Sequence, residues 1–275
     1  MTANHLRSRL HSVALSAFVT AAVAASLTGC QTQVDPLGAT PSTTNTTSTT
    51  NTTTPDAQTP SADGATIFAA ASLSKVFPLI ESNVNYSFDG SSGLVDQLAG
   101  GAPADVFASA DKANMDKAVA AGVIEGDPVM FATNHLVLVT PADNPANITG
   151  FDSSLDGTRL VTCAPEVPCG AATARISEST GLTLAPVSQE SSVTDVLGKV
   201  TSGEADAGIV YATDASGAGK KVLTFEISGA TDDPNTYWIA QVKDAPHPEA
   251  GAAFIAAITG PGSAQLQQFG FGPAK

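Results

Sequence analysis

Short apolar runs of strand length alternate with longer stretches of helical spacing in this 275-residue chain, from residue 65 onward. The runs at 66–70, 85–88, 106–109, 135–140, 159–162, 207–211, 222–226 and 237–242 read as strands, rich in Val, Ile, Phe, Tyr or Ala and bounded by turn residues. Apolar positions three and four apart predict helices over 73–82, 93–100, 112–121, 171–179, 193–202, 248–258 and 264–269. This alternation places the body of the chain in the α/β class. Pro78 falls inside the first predicted helix, which it should kink or shorten. No internal repeat is visible.

Several predicted strands run through small residues into a helix. F-A-A-A-S-L at 68–73 carries Ser72, and F-D-G-S-S-G-L at 88–94 carries Ser91. Pro168-Cys169-Gly170 precedes another helix, and Ser191-Ser192 precedes the one that starts at Val193. A hydroxyl beside the unpaired N–H groups of a helix start can hold an anion without a cation. Both serines could equally be ordinary N-caps, a position serine favours. In open α/β sheets, ligands sit beyond the carboxyl ends of strands, where such helix starts gather.

The front of the chain has a different character. His5, Arg7, Arg9 and His11 form a polar, basic start, followed by an apolar run over 13–27 that ends in L-T-G-C at 27–30. That run is short for a membrane span and suits a signal peptide over 1–29. The L-x-G-C ending is similar to a bacterial lipobox, in which Cys30 becomes the lipid-modified N-terminus. Residues 31–64 hold twelve Thr, three Ser and four Pro, with no Lys, Arg or aromatic residue. Segment 30–64 is therefore expected to be a disordered tether, of a composition that suits O-glycosylation. The folded part should begin at residue 65, with room for one large domain or two lobes.

The charge narrows the partners. Removing the leader takes away Arg7 and Arg9 and no acid, so a net charge of −14 becomes −16. Nucleic acid is an improbable partner without a basic patch, and an anion would have to be held by local, directed donors against the long-range field. Arg159 and Arg175 are the only arginines of the body, read as surface residues or ion-pair partners. Cys163 and Cys169, six positions apart in C-A-P-E-V-P-C, read as a short-loop disulfide, with a metal site as the alternative. His135 and His247 have no ligand-like spacing, so no metal-ion ligands and no cofactor are expected.

With G-A-P-A-D-V-F-A-S-A-D at 101–111, V-P-C-G at 167–170, G-I-V-Y-A-T-D-A at 208–215 and F-G-F at 269–271, these blocks give the chain a wider resemblance. The chain resembles the molybdate-binding proteins (ModA type) of bacterial ABC uptake transporters, over essentially the whole body. The resemblance implies a two-lobed, type II periplasmic-binding-protein fold with two crossing hinge strands, at 135–140 and 237–242. Lobe 1 would hold 65–137 and 238–275, and lobe 2 would hold 138–237. It implies an oxyanion, molybdate or tungstate, held by the hydroxyls of Ser72, Ser91 and Tyr211 and the backbone N–H groups of Cys169 and Val193. The family usually has Ala where this chain has Cys169, which leaves the N–H in place. A monomeric, lipid-anchored protein outside the cell membrane, serving an ABC permease, is the implied setting. Two other readings stand beside it. One is a sulfate or other small-anion binder of the same fold. The other is a serine hydrolase using the S-x-x-K of Ser72 and Lys75, although the companion S-D-N and K-T-G elements are absent.

Overall fold

The computed structural model describes residues 60–274. The predicted leader 1–29, Cys30 and the tether as far as residue 59 lie outside the described residues. Within the expected tether, Ala62 is buried in the core, Gly64 N–H bonds to the Asn83 carbonyl at 2.9 Å, and the chain turns there into the first strand. The folded body therefore begins a few residues before the composition changes. A small apolar residue and a glycine with φ of 79° serve as its first turn.

The chain first builds β1 (Thr66–Ala70), a 3-10 turn (Ala71–Leu73), α1 (Phe77–Ile80), β2 (Asn85–Asp89), α2 (Ser91–Ala99), β3 (Val106–Ser109), α3 (Lys112–Ala120) and β4 (Ile124–Asn134). It then crosses to β5 (Leu136–Pro141), β6 (Leu160–Cys163), α4 (Pro168–Thr180), β7 (Ser188–Glu190), α5 (Val193–Thr201), β8 (Ala207–Tyr211), α6 (Ala212–Ala218) and β9 (Val222–Glu226). It returns through β10 (Asn235–Val242), α7 (Pro248–Thr259), α8 (Gly262–Gln268) and β11 (Gly272–Pro273).

Two sheets result, in the orders β11-β4-β10-β3-β1-β2 and β7-β6-β8-β5-β9. In each, three parallel strands are flanked by an antiparallel one, β10 in the first lobe and β5 in the second. The chain passes between the sheets at His135 and again within 227–234. The crossings therefore precede the strands expected to make them, since β5 lies wholly in the second sheet and β10 wholly in the first.

Burial on both faces explains the near-continuous apolar runs. In the first lobe Ile67, Val106, Tyr237 and Ile239 pack against Phe77, Phe254 and Ile258, while Phe68, Phe107 and Ala240 pack against Leu94, Leu98 and Met115. One predicted helix is shortened, and β4, β7, α6 and β11 are additions to the predicted set. The helix expected over 73–82 is only a 3-10 turn and the short α1, because Pro78 can sit in a first turn but has no N–H to donate to Ser74 in a helix running on from residue 73. β4 was not expected, because E-G-D-P at 125–128 reads as a turn. The pairing with β10 jumps from Val129↔Ile239 to Glu125↔Gln241, so those polar residues form a bulge within one strand. β7, of sequence S-Q-E, is too short and polar to register.

Candidate functional site

The parallel strands of both lobes end at one place. The turns after β1, β2 and β3 meet those after β6, β7 and β8, and together they wall a small cavity of about 10 Å3. Ser72, Ser91, Cys169, Val193 and Tyr211 all line it, and no Lys, Arg or His is among its lining residues.

Neither serine is an N-cap. Ser91 is the first residue of α2 and Gly90 takes the cap position, because a Cβ on Gly90 would run into the Ser191 carbonyl oxygen of the other lobe. The Ser91 Oγ, fully buried, accepts from the Ala110 N–H at 3.0 Å, so its hydrogen is left for another acceptor. Ser72 lies inside the 3-10 turn, with its Oγ 2.8 Å from the Tyr237 hydroxyl.

The second lobe contributes backbone. Pro168 opens α4 and has no N–H, so the first free donor of that helix belongs to Cys169. A disulfide joins Cys169 to Cys163 at the end of β6, and Gly170 lets the loop fold back on the Ala164 carbonyl. Val193 opens α5 after Ser192, whose Oγ accepts from the Asp195 N–H at 3.2 Å. Tyr211 ends β8 and is 1% exposed. Burial first, then Tyr237, Asp111 and Asp214, push its phenol well above the ordinary range, so it stays a neutral O–H donor.

Sequence reasoning missed three side chains here. Asp89 lines the cavity, its Oδ1 accepting from the Gly90 N–H at 2.7 Å, which puts a carboxylate at the start of α2. Tyr237 backs Ser72, and its phenol is likewise raised by burial. Asn235 backs Tyr211 from 2.8 Å. Tyr237 and Asn235 carry no local signal, since each gains its partner only through the fold, whereas Asp89 lies within the F-D-G-S-S-G-L block and bonds to its own neighbour.

The other candidate residues lie elsewhere. Arg159 pairs with Asp206 at 2.6 Å, and Arg175 pairs with Asp233 at 2.7 Å. Lys75 extends toward Gly217 on α6, and the partner of the Ser72 hydroxyl is a phenol, so the S-x-x-K does not assemble a nucleophile and base. Among the described residues no cluster of three or more His, Cys, Asp or Glu could hold a metal ion.

The sequence profile of the bacterial extracellular solute-binding proteins matches residues 57–272. The chain belongs to that family. The molybdate-binding protein ModA of Mycobacterium tuberculosis is 45% identical over 228 residues, spanning 79% of this chain and 87% of that protein. The periplasmic molybdate-binding protein of Azotobacter vinelandii has the same fold, with a TM-score of 0.68 at 20% identity, covering 77% of this chain and 100% of that one. The sulfate-binding protein SubI of Mycobacterium tuberculosis shares it too, with a TM-score of 0.64 at 20% identity, covering 78% and 88%. This solute-binding protein is of the ModA type, and its relatives bind rather than catalyse.

Proposed function

We propose that the protein captures molybdate, and also tungstate, in the interlobe cavity and delivers it to the permease of an ABC importer. The ion would receive hydrogen bonds from the hydroxyls of Ser72, Ser91 and Tyr211 and from the N–H groups of Cys169 and Val193. The observation that carries this reading is the meeting of these five groups on one cavity without a cationic side chain. A fully ionised tetrahedral dianion needs only donors, and burying it without a counter-ion requires nearly every oxygen to be hydrogen-bonded. Two lobes closing on the ion supply that enclosure. Here the lobes touch around the cavity, with the Asn114 amide reaching the Glu166 carbonyl at 3.3 Å and the Asn134 amide reaching Thr213 Oγ1 at 2.8 Å. Molybdate is cargo in this account, not a cofactor.

The same reading makes the protein an extracytoplasmic monomer, anchored to the membrane by lipid on Cys30 and held off it by the Thr-rich tether. Calorimetric titration of the purified protein with molybdate, tungstate and sulfate tests the ligand. Molybdate and tungstate should bind tightly and sulfate at least about a hundredfold more weakly, a gap of about 2.7 kcal/mol. Equal affinity for sulfate would replace molybdate by the broader class of sulfate binders.

A further inference from the structure

Asn235 is the first residue of β10, where the chain has just returned to the first lobe, and it is 3% exposed. Its amide nitrogen, with two hydrogens, faces three acceptors: the Tyr211 hydroxyl oxygen at 2.8 Å, the Ala110 carbonyl at 3.0 Å and the Pro168 carbonyl at 3.2 Å, so that with one hydrogen on the nearest, Tyr211, the two carbonyls share the other. Its amide oxygen accepts from Arg175 Nη2 at 3.1 Å, and Arg175 Nε holds Asp233 at 2.7 Å. A guanidinium can face only the oxygen of an amide, and carbonyls can face only its NH2. These partners therefore fix which way the Asn235 side chain is turned.

That orientation constrains Tyr211. A phenol has one hydrogen, and an oxygen that accepts from behind sends that hydrogen elsewhere. The ring is buried, and Tyr211 borders the cavity between the lobes. We propose that Asn235 is a positioning residue that aims the Tyr211 hydroxyl hydrogen into this cavity, so that the site favours fully deprotonated oxyanions over protonated ones. The inference rests on the reading of the cavity as an oxyanion site.

Ser91 is prepared in the same way, because Ala110, whose carbonyl accepts from Asn235, donates its N–H to Ser91 Oγ. Two wall hydroxyls thus accept from N–H groups behind them and present hydrogens in front. A bare oxyanion oxygen meets a donor there. The O–H of hydrogen phosphate meets another hydrogen at both of these places, which leaves the Asp89 carboxylate as the acceptor it would have to reach.

Asn235→Asp tests this directly, being nearly isosteric and keeping an oxygen for Arg175. It places an acceptor opposite Tyr211, so the phenol hydrogen should turn back toward residue 235. Molybdate affinity is expected to fall about ten- to a hundredfold, the range for a hydrogen bond to a charged group, and the preference for molybdate over hydrogen phosphate should narrow. In a Tyr211→Phe background the same substitution should cost much less, because no hydroxyl remains to be aimed. Asn235→Ala, which adds no charge, should show the same dependence on Tyr211 with a smaller loss, and it carries the test if the Asp variant does not melt cooperatively without ligand. Equal losses in both backgrounds would mean charge repulsion or lobe closure and would overturn the proposal, as would unchanged affinity in both variants. Wild-type protein that binds none of molybdate, tungstate and sulfate would overturn the oxyanion reading itself, whereas tight wild-type binding with indifferent Asn235 variants overturns only the role of Asn235.

Discussion

Ser91 and Asp89 stand two positions apart at the start of one helix and should act on a dianion in opposite directions. Ser91 offers a buried hydroxyl whose oxygen is already occupied by the Ala110 N–H. Ser91→Ala should therefore weaken molybdate binding by about 1.5–3 kcal/mol in calorimetry; unchanged affinity would remove Ser91 from the site. Asp89 brings a negative charge to the cavity wall and offsets it only by accepting from Gly90 and by sitting at a helix N-terminus. Asp89→Asn should keep the bond to Gly90 and tighten molybdate binding by about 1 kcal/mol at low salt, with the gain shrinking as salt is added. A loss of affinity instead would mean that the carboxylate organises the turn more than it repels the ion. Ser72, Ser91, Cys169 and Val193 were legible because each sits where a helix starts after small or capping residues, whereas Tyr211 was reached only through the family resemblance. Asn235 was not legible. Its acceptors lie 24, 67 and 125 positions away, and nothing near it in the sequence announces them.

Helix α4 shows how one element can be set by covalent and steric means together. Its first turn carries the Cys169 N–H to the cavity, the disulfide to Cys163 ties that turn to the end of β6, and Gly170 admits the Ala164 carbonyl where any Cβ would collide. Replacing both cysteines with serine frees a short loop and should lower unfolding free energy by about 2 kcal/mol in urea denaturation. It should also weaken molybdate binding, since the N–H donor is no longer held in place before the ion arrives. Unaltered binding with lowered stability would confine the bridge to a structural role. The strands β1, β3, β8 and β9 were legible to the residue because their apolar runs are cut cleanly by turn residues. β4 was hidden by its polar bulge, and α1 was overestimated because Leu73, Val76 and Phe77 keep a helical spacing that the backbone at Pro78 does not follow.

Across the whole molecule, the least comfortable charge lies where the lobes meet. Asp214 is the third residue of α6, is 4% exposed, and its Oδ2 has no hydrogen-bond partner. Burial raises its carboxyl to about 7, against smaller opposing effects from Lys75 of the first lobe and from the Tyr211 backbone. The unfolded chain loses this proton near the ordinary aspartate value of 3.8, whereas the folded protein holds it until about 7. Between those two values the native state binds more protons than the unfolded one, so stability falls as pH rises through this window and is level above it. The penalty carried at pH 8 is then up to about 4 kcal/mol. Asp214→Asn keeps the shape and an oxygen for the first turn of α6 but removes the titration. The variant should match wild type in thermal or urea unfolding at pH 4 and exceed it increasingly toward pH 8, with a flatter profile between. A stability difference that stays constant over that range would show that Asp214 is ionised in the folded protein throughout, held by Lys75 across the seam. In that case the same lysine, already lying against Gly217, would be a closing contact between the lobes, and Lys75→Met would loosen ligand binding in step with stability.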